Sequence, residues 1–331
     1  MAANTPAWRR LLPNVLLLGL LISFPFIADA YWTDVAVFFG IYVILGLSLN
    51  LILGEVGLFN MGHAAFFGIG AYLTAILSIN FGIPIILLLP VAALGAGLVA
   101  WILTGPIIHL RGDYLLIVTI GINEIVRIAL INNPFGLTGG PNGLLLLQRI
   151  EIFGWTVRTP ADFYWLVWAF IVVLIIVLIR LQNSRIGRAW NYVREDEVAA
   201  AAMGINVRNA KALAFTLGAA LAGAAGTFYA AKMRIISPES FVFSESVILF
   251  AIVILGGMGS IPGVIVAAGA IMVLPELLRG FVEYRMLFFG AAMVLMMIFR
   301  PQGLWPSKRW ARKLSIEEPE TAAAVELEEK E

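Results

Sequence analysis

Apolar residues fall along this chain in long blocks separated by short polar islands. A helix needs roughly 20 apolar residues to cross a hydrocarbon core. Blocks near that length run over 11–28, 35–53, 64–79, 83–108, 114–131, 163–179 and 212–231. The last third is less regular. Val247 to Leu255 is short, Gly256 to Ser260 interrupts it, and apolar runs resume over 264–278 and 286–299. The pattern predicts an all-α, polytopic transmembrane bundle in which the glycine-broken region makes discontinuous or re-entrant helices.

Composition agrees with this reading. Hydrophobic residues make up 61% of the chain and charged residues 13%, against about 25% charged in soluble domains. The net charge of +1 supplies no field for nucleic acid. With no cysteine, disulfides and thiolate metal sites are excluded; with two distant histidines, His63 and His109, a histidine-based metal site or catalytic triad has little material, and no cofactor is implied. No phosphate-loop motif (GxxxxGK[ST]) occurs, so energy comes from a partner or an ion gradient.

Lysine and arginine near span ends set orientation. Arg9 and Arg10, the stretch from Arg180 to Lys211, and the flank from Arg300 to Lys313 are expected to be cytoplasmic. Both termini inside means an even number of crossings. Ten are favoured, eight if the glycine-broken region is re-entrant. The alternative for the first block, a cleavable signal peptide, would leave an odd number. Residues 1–306 form the membrane domain. Residues 307–331, with seven glutamates after Ile316, read as an acidic, disordered cytoplasmic tail.

Three polar islands carry the candidate chemistry. The first contains Asn50, Asn60 and His63 among glycines, and reads either as a pathway-lining turn or as a helix-packing turn. In the second, Thr119, Asn123 and Arg127 recur every fourth residue on one helix face. Glu124 and Arg127 are spaced to pair, and ionisable groups within a span usually face a cavity. The island reads as a path lining, or as a neutralised pair that only fixes packing. Thr138 to Gly143 cannot be a regular helix. The third island, 183–206, carries Arg194, Glu195, Asp196 and Glu197. A helix is expected from Glu195 to Met203, closing at Gly204. It is either a docking knob for a partner or an ordinary connecting helix.

Six segments in order give this pattern a family. GLSLNLILG (46–54), LRGDY (110–114), GLTGGPNG (136–143), REDEVAA (194–200), MGIN (203–206) and LGGMGSIPG (255–263) resemble the branched-chain amino-acid permeases of ABC importers, LivM-type, over roughly 35–305. The resemblance implies a bacterial inner-membrane subunit moving branched-chain or other hydrophobic amino acids by alternating access. It also implies a second homologous permease, two cytoplasmic ATPase subunits and a periplasmic binding protein. The 183–206 stretch then matches the loop that docks into the ATPase. It departs from the general pattern, because Glu197 stands seven rather than six residues before Gly204, with Val198 intervening. Urea or short amides are alternative cargoes. A standalone secondary transporter is another alternative, and its coupling carboxylates would be Glu124 and Glu276.

Overall fold

The computed structural model describes residues 23–110, 112–152, 154–277, 290, 294 and 303–305. Most of the expected first span, the 286–299 span apart from two residues, and the acidic tail lie outside them. The described elements are overwhelmingly helical: α1 (Ala30–Asn50), α2 (His63–Phe81), α3 (Ile85–Ile107), α4 (Asp113–Ile131), α5 (Pro160–Gln182), α6 (Arg185–Glu195), α7 (Glu197–Ala202), α8 (Val207–Met233), α9 (Phe243–Gly256) and α10 (Ile261–Leu277). Among the described residues, seven helices are long and apolar enough to cross a membrane, and α10 is a shorter apolar helix.

Small residues decide how these helices meet. A Cβ on Gly70 of α2 would collide with the backbone of Gly223 in α8. One on Gly223 would meet Ala92 and Ala96 of α3, and one on Gly226 the backbone of Phe67 and Ala71. Lipid supplies no hydrophobic drive between helices, so close backbone approach and dispersion carry the packing. This glycine and alanine seam joins α2, α3 and α8. α1 occupies the centre, against α5, α8, α9 and α10, with Ile41, Ile44, Leu47 and Ile52 fully buried. On α4 the usual amphipathicity is inverted. Its buried residues are Leu115, Thr119 and Asn123, whereas Ile117, Ile125 and Ile128 are exposed. That arrangement suits a lipid surround.

Three features depart from the expectations. The helix expected from Glu195 to Met203 is α7, two residues shorter at its start and one at its end, and a helix that was not expected, α6, runs up to it. Asp196 takes an extended conformation (φ −155°, ψ 114°), and its side chain accepts from the Val198 and Ala199 amides. Aspartate is a strong N-cap, so it ends α6 and starts α7. The bundle is also not purely helical, because β1 (Leu144–Leu145) pairs antiparallel with β4 (Ile235–Ile236), and β2 (Glu151–Ile152) with β3 (Trp155–Thr156). Finally, α1 does not end in a regular turn. It continues as a π-helical turn over Leu51–Glu55, a local widening often found at functional positions.

The expected discontinuities are present. α9 has 14 residues, about 21 Å of helix, and counts among the seven spanning helices only together with the turn before it. A 3₁₀ turn over Pro238–Phe241 precedes it. It ends at Gly257 (φ 99°) and Gly259 (φ 83°), where left-handed backbone requires glycine. The 138–143 segment is irregular, with a 3₁₀ turn at Gly140–Asn142.

Candidate functional site: a buried polar cluster and a junction at the bundle end

The expected path residues divide into three groups. Asn123 lies one turn along α4 from Thr119 and bonds Phe241 in the turn before α9, whereas Asn60 and Thr119 meet at the start of α2. There the chain from Gly57 to Gly62 is non-helical, and side chains take up its polar groups. Asn60 Oδ1 accepts from the Gly62 amide at 2.9 Å, the Met61 amide donates to Thr119 Oγ1 at 3.1 Å, and the Ala64 amide donates to Ser246 Oγ at 2.9 Å. A Cβ on Gly62 would strike the Thr119 carbonyl, so glycine there lets the turn lie against α4.

His63 completes this cluster, fully buried. Ser48 Oγ donates to the Leu45 carbonyl at 2.7 Å. It therefore accepts from His63 Nε2–H, also at 2.7 Å. Nδ1 is left to accept from Asn60 Nδ2 at 3.4 Å. The bonding selects one neutral tautomer. His63 thus holds α1 to the α2 entry, in keeping with a structural rather than a ligating histidine.

Asn123 is different. Its Nδ2 donates to the Phe241 carbonyl at 3.3 Å, while its buried Oδ1 has no partner among the described residues. An unsatisfied buried acceptor costs about 1–3 kcal/mol, which makes a purely structural asparagine a poor choice there.

Glu124 and Arg127 form the expected pair at 2.9 Å, and Arg127 also reaches Glu239 at 3.2 Å. Glu239 was not among the expected residues. All three are at least partly exposed, so this charge group lies at the rim of the α4 face rather than inside it. A further carboxylate escaped the sequence reading: Glu245, in the first turn of α9, accepts from the Tyr42 hydroxyl of α1.

Asn50 stands apart from the other path residues, in a junction with the coupling residues. Its Oδ1 accepts from the Gly259 amide at 2.8 Å, joining the end of α1 to the α9–α10 break. Arg194, in the last turn of α6, donates to the Gly54 carbonyl within the π turn. A Cβ on Gly259 would stand 3.5 Å from Arg194 Nη1 and 3.8 Å from Glu55 Oε1. Gln182, at the end of α5, donates to Glu55 Oε1 at 2.7 Å. Leu304 and Trp305 donate to the Leu255 and Gly256 carbonyls, closing the end of α9. The cavity left between Asn50, Glu55, Gln182 and Trp190 is only about 10 Å³.

The α6–α7 segment is anchored to the bundle twice more. Trp190 is fully buried and its indole donates to the Ala210 carbonyl at 2.8 Å. Lys211, in the first turns of α8, is buried and pairs with Glu197 at 2.5 Å. Opposite this anchored side, Val198 and Met203 are exposed. Glu195 and Asp196 flank the break, and Gly204 (φ 83°) turns the chain toward α8.

Helices of spanning length, an apolar exterior and polar atoms turned inward make this chain a multi-pass membrane protein of the transport-permease class. Residues 31–297 match the family described as the permease component of branched-chain amino acid transport systems, and the chain belongs to that family. The high-affinity branched-chain amino acid transport system permease protein LivM of Escherichia coli K12 is 44% identical over 323 residues, covering 91% of this chain and 76% of the relative. LivM of Salmonella typhimurium LT2 is 43% identical, covering 90% and 75%. LivH of E. coli K12 is 27% identical over 287 residues, covering 80% and 90%. No solved structure matches the chain.

Proposed function

We propose that this chain is one of two homologous permease subunits of an ATP-driven importer for branched-chain amino acids, working by alternating access. The observation that carries this reading is the junction. Arg194 of the α6–α7 segment bonds the π turn of α1, and Asn50, immediately before that turn, accepts from Gly259 in the α9–α10 break. A push on α6–α7 therefore acts on two places where helices are already interrupted, and interrupted helices move as separate pieces. The exposed outer side of α7, with Val198, suits a groove on an ATPase. Asn60, Thr119 and Asn123 line the path, Asn123 with its spare acceptor. Glu124 and Arg127 stand at its rim.

E. coli K12 has both a LivM and a LivH similar to this chain, which supports the pairing of two homologous permeases. Two ATPase subunits and a periplasmic binding protein complete the assembly in the bacterial inner membrane. Both termini and α6–α7 face the cytoplasm, with ten crossings in all: the seven long helices, α10, and the apolar runs over 11–28 and 286–299. Residues 183–206 act as the coupling loop and 307–331 as a cytoplasmic tail. The test is cysteine crosslinking from Val198→Cys in the assembled complex. Adducts with the ATPase subunit that change with bound ATP are expected. Absence of any ATPase adduct, with the complex intact, overturns the docking assignment.

A further inference from the structure

A groove of about 400 Å³ opens between the end of α3 and the start of α8, lined by Trp101, Ile102, Thr104, Arg208, Asn209 and Ala212, among others. Its α8 wall flanks Ala210 and Lys211, to which Trp190 and Glu197 anchor the α6–α7 segment. Its two walls differ in chemistry. The α3 wall is apolar and continues a stripe of exposed residues, Leu87, Val91, Leu94, Leu98, Trp101 and Ile102, which recur every three to four residues along one face of a membrane helix. That stripe faces acyl chains. The α8 wall is polar and positively charged.

Arg208 is exposed and has no carboxylate partner among the described residues. The neighbouring cation, Lys211, is already taken up by Glu197. α8 is 27 residues long, about 40 Å, so it outruns a ~30 Å hydrocarbon core. Arg208 near one end therefore stands at headgroup level. Trp101, two turns before the end of α3, is the side chain that most favours the same interface. The groove thus offers an apolar floor that reaches into the lipid and a lone cation where phosphates lie.

We propose that this groove binds an anionic phospholipid, its phosphate held by Arg208 and Asn209 and one acyl chain lying on Trp101 and Ile102. The site depends on the chain being a membrane protein, and not on its cargo or its energy source.

Native mass spectrometry of the full-length chain, titrated with phosphatidylglycerol or phosphatidylcholine of the same acyl composition, tests it. Wild type should retain phosphatidylglycerol preferentially. Arg208→Gln should lower that retention about fivefold, the scale of one basic residue at an anionic surface, and leave phosphatidylcholine unchanged. Trp101→Ala should lower both. Inorganic phosphate should not displace the lipid. Unchanged retention in Arg208→Gln, or an equal fall in Arg180→Gln on the exposed end of α5, overturns the proposal. Displacement by inorganic phosphate overturns it too, by showing a plain anion site. So does loss of the second permease from the Arg208→Gln complex with lipid retention unchanged, which would assign the groove to a protein partner.

Discussion

The guanidinium of Arg194 donates to the carbonyl of Gly54, linking a peripheral helix to the one irregular turn of the most buried span. The Gly54 carbonyl belongs to a π turn, where the ordinary i to i−4 pattern of bonding is relaxed. A charged donor at such a carbonyl is worth about 1.5–3 kcal/mol. Arg194→Ala in the assembled transporter should therefore leave ATP hydrolysis running while uptake falls about tenfold or more. Arg194→Lys should restore only part of it, since an ammonium lacks the planar fork. Parallel uptake and ATPase assays check this, and uptake equal to wild type in Arg194→Ala counts against the link.

The junction also leaves no room at Gly54. A Cβ there would run into the Asn50 carboxamide and the Gly259 amide. Gly54→Ala should destabilise the protein by about 1–3 kcal/mol, the range of overpacking, and lower uptake. Gly121→Ala is the internal comparison, because open space surrounds that position on α4. It should be neutral or slightly stabilising, since alanine favours helix. Thermal denaturation in detergent should separate the two variants, and matched melting points would refute the packing account.

Asn123 invites a test in which stability and function diverge. Its Oδ1 is buried without a partner, so Asn123→Leu removes only the bond to Phe241 and relieves an unsatisfied acceptor. The melting temperature should hold or rise. Uptake should fall if Asn123 lines the path as proposed, because the proposed path then loses that acceptor. A loss of stability accompanied by normal uptake would mark Asn123 as structural.

Asp196→Ala removes the cap of α7, worth about 0.5–2 kcal/mol. α7 has only six residues and little intrinsic stability. It should fray locally without unfolding the bundle. Hydrogen exchange should accelerate over 197–202 and not over α8, and ATP-dependent uptake should drop. Unaltered exchange in α7 would mean that Lys211 and Glu197 alone hold it.

The spans α1 to α5 and α8 were legible in the sequence because each is a long apolar block, and the α9–α10 break because Gly256, Gly257 and Gly259 stand together. The Glu124–Arg127 pair was legible as well, being local. Helix α7 was legible too, since Glu195 to Met203 is rich in helix formers and opens with acids, whereas α6, which runs up to the Asp196 cap, was not. The polar cluster and the junction were unreadable for another reason. Ser48 and His63, Asn50 and Gly259, Tyr42 and Glu245, and Arg127 and Glu239 meet only through tertiary packing. Residues such as Asn50 and Asn60 signalled polar business inside a membrane, without saying that one belongs to the end of α1 and the other to the entry of α2.

As proposed above, this chain is the pore-forming partner of a separate ATP-driven motor. Leucine uptake into proteoliposomes tests it most directly, with the chain reconstituted alone or together with its second permease, ATPase subunits and binding protein. Uptake is expected only from the complete set with ATP, unaffected by proton and sodium ionophores. Uptake by this chain alone that collapses with either ion gradient would contradict it.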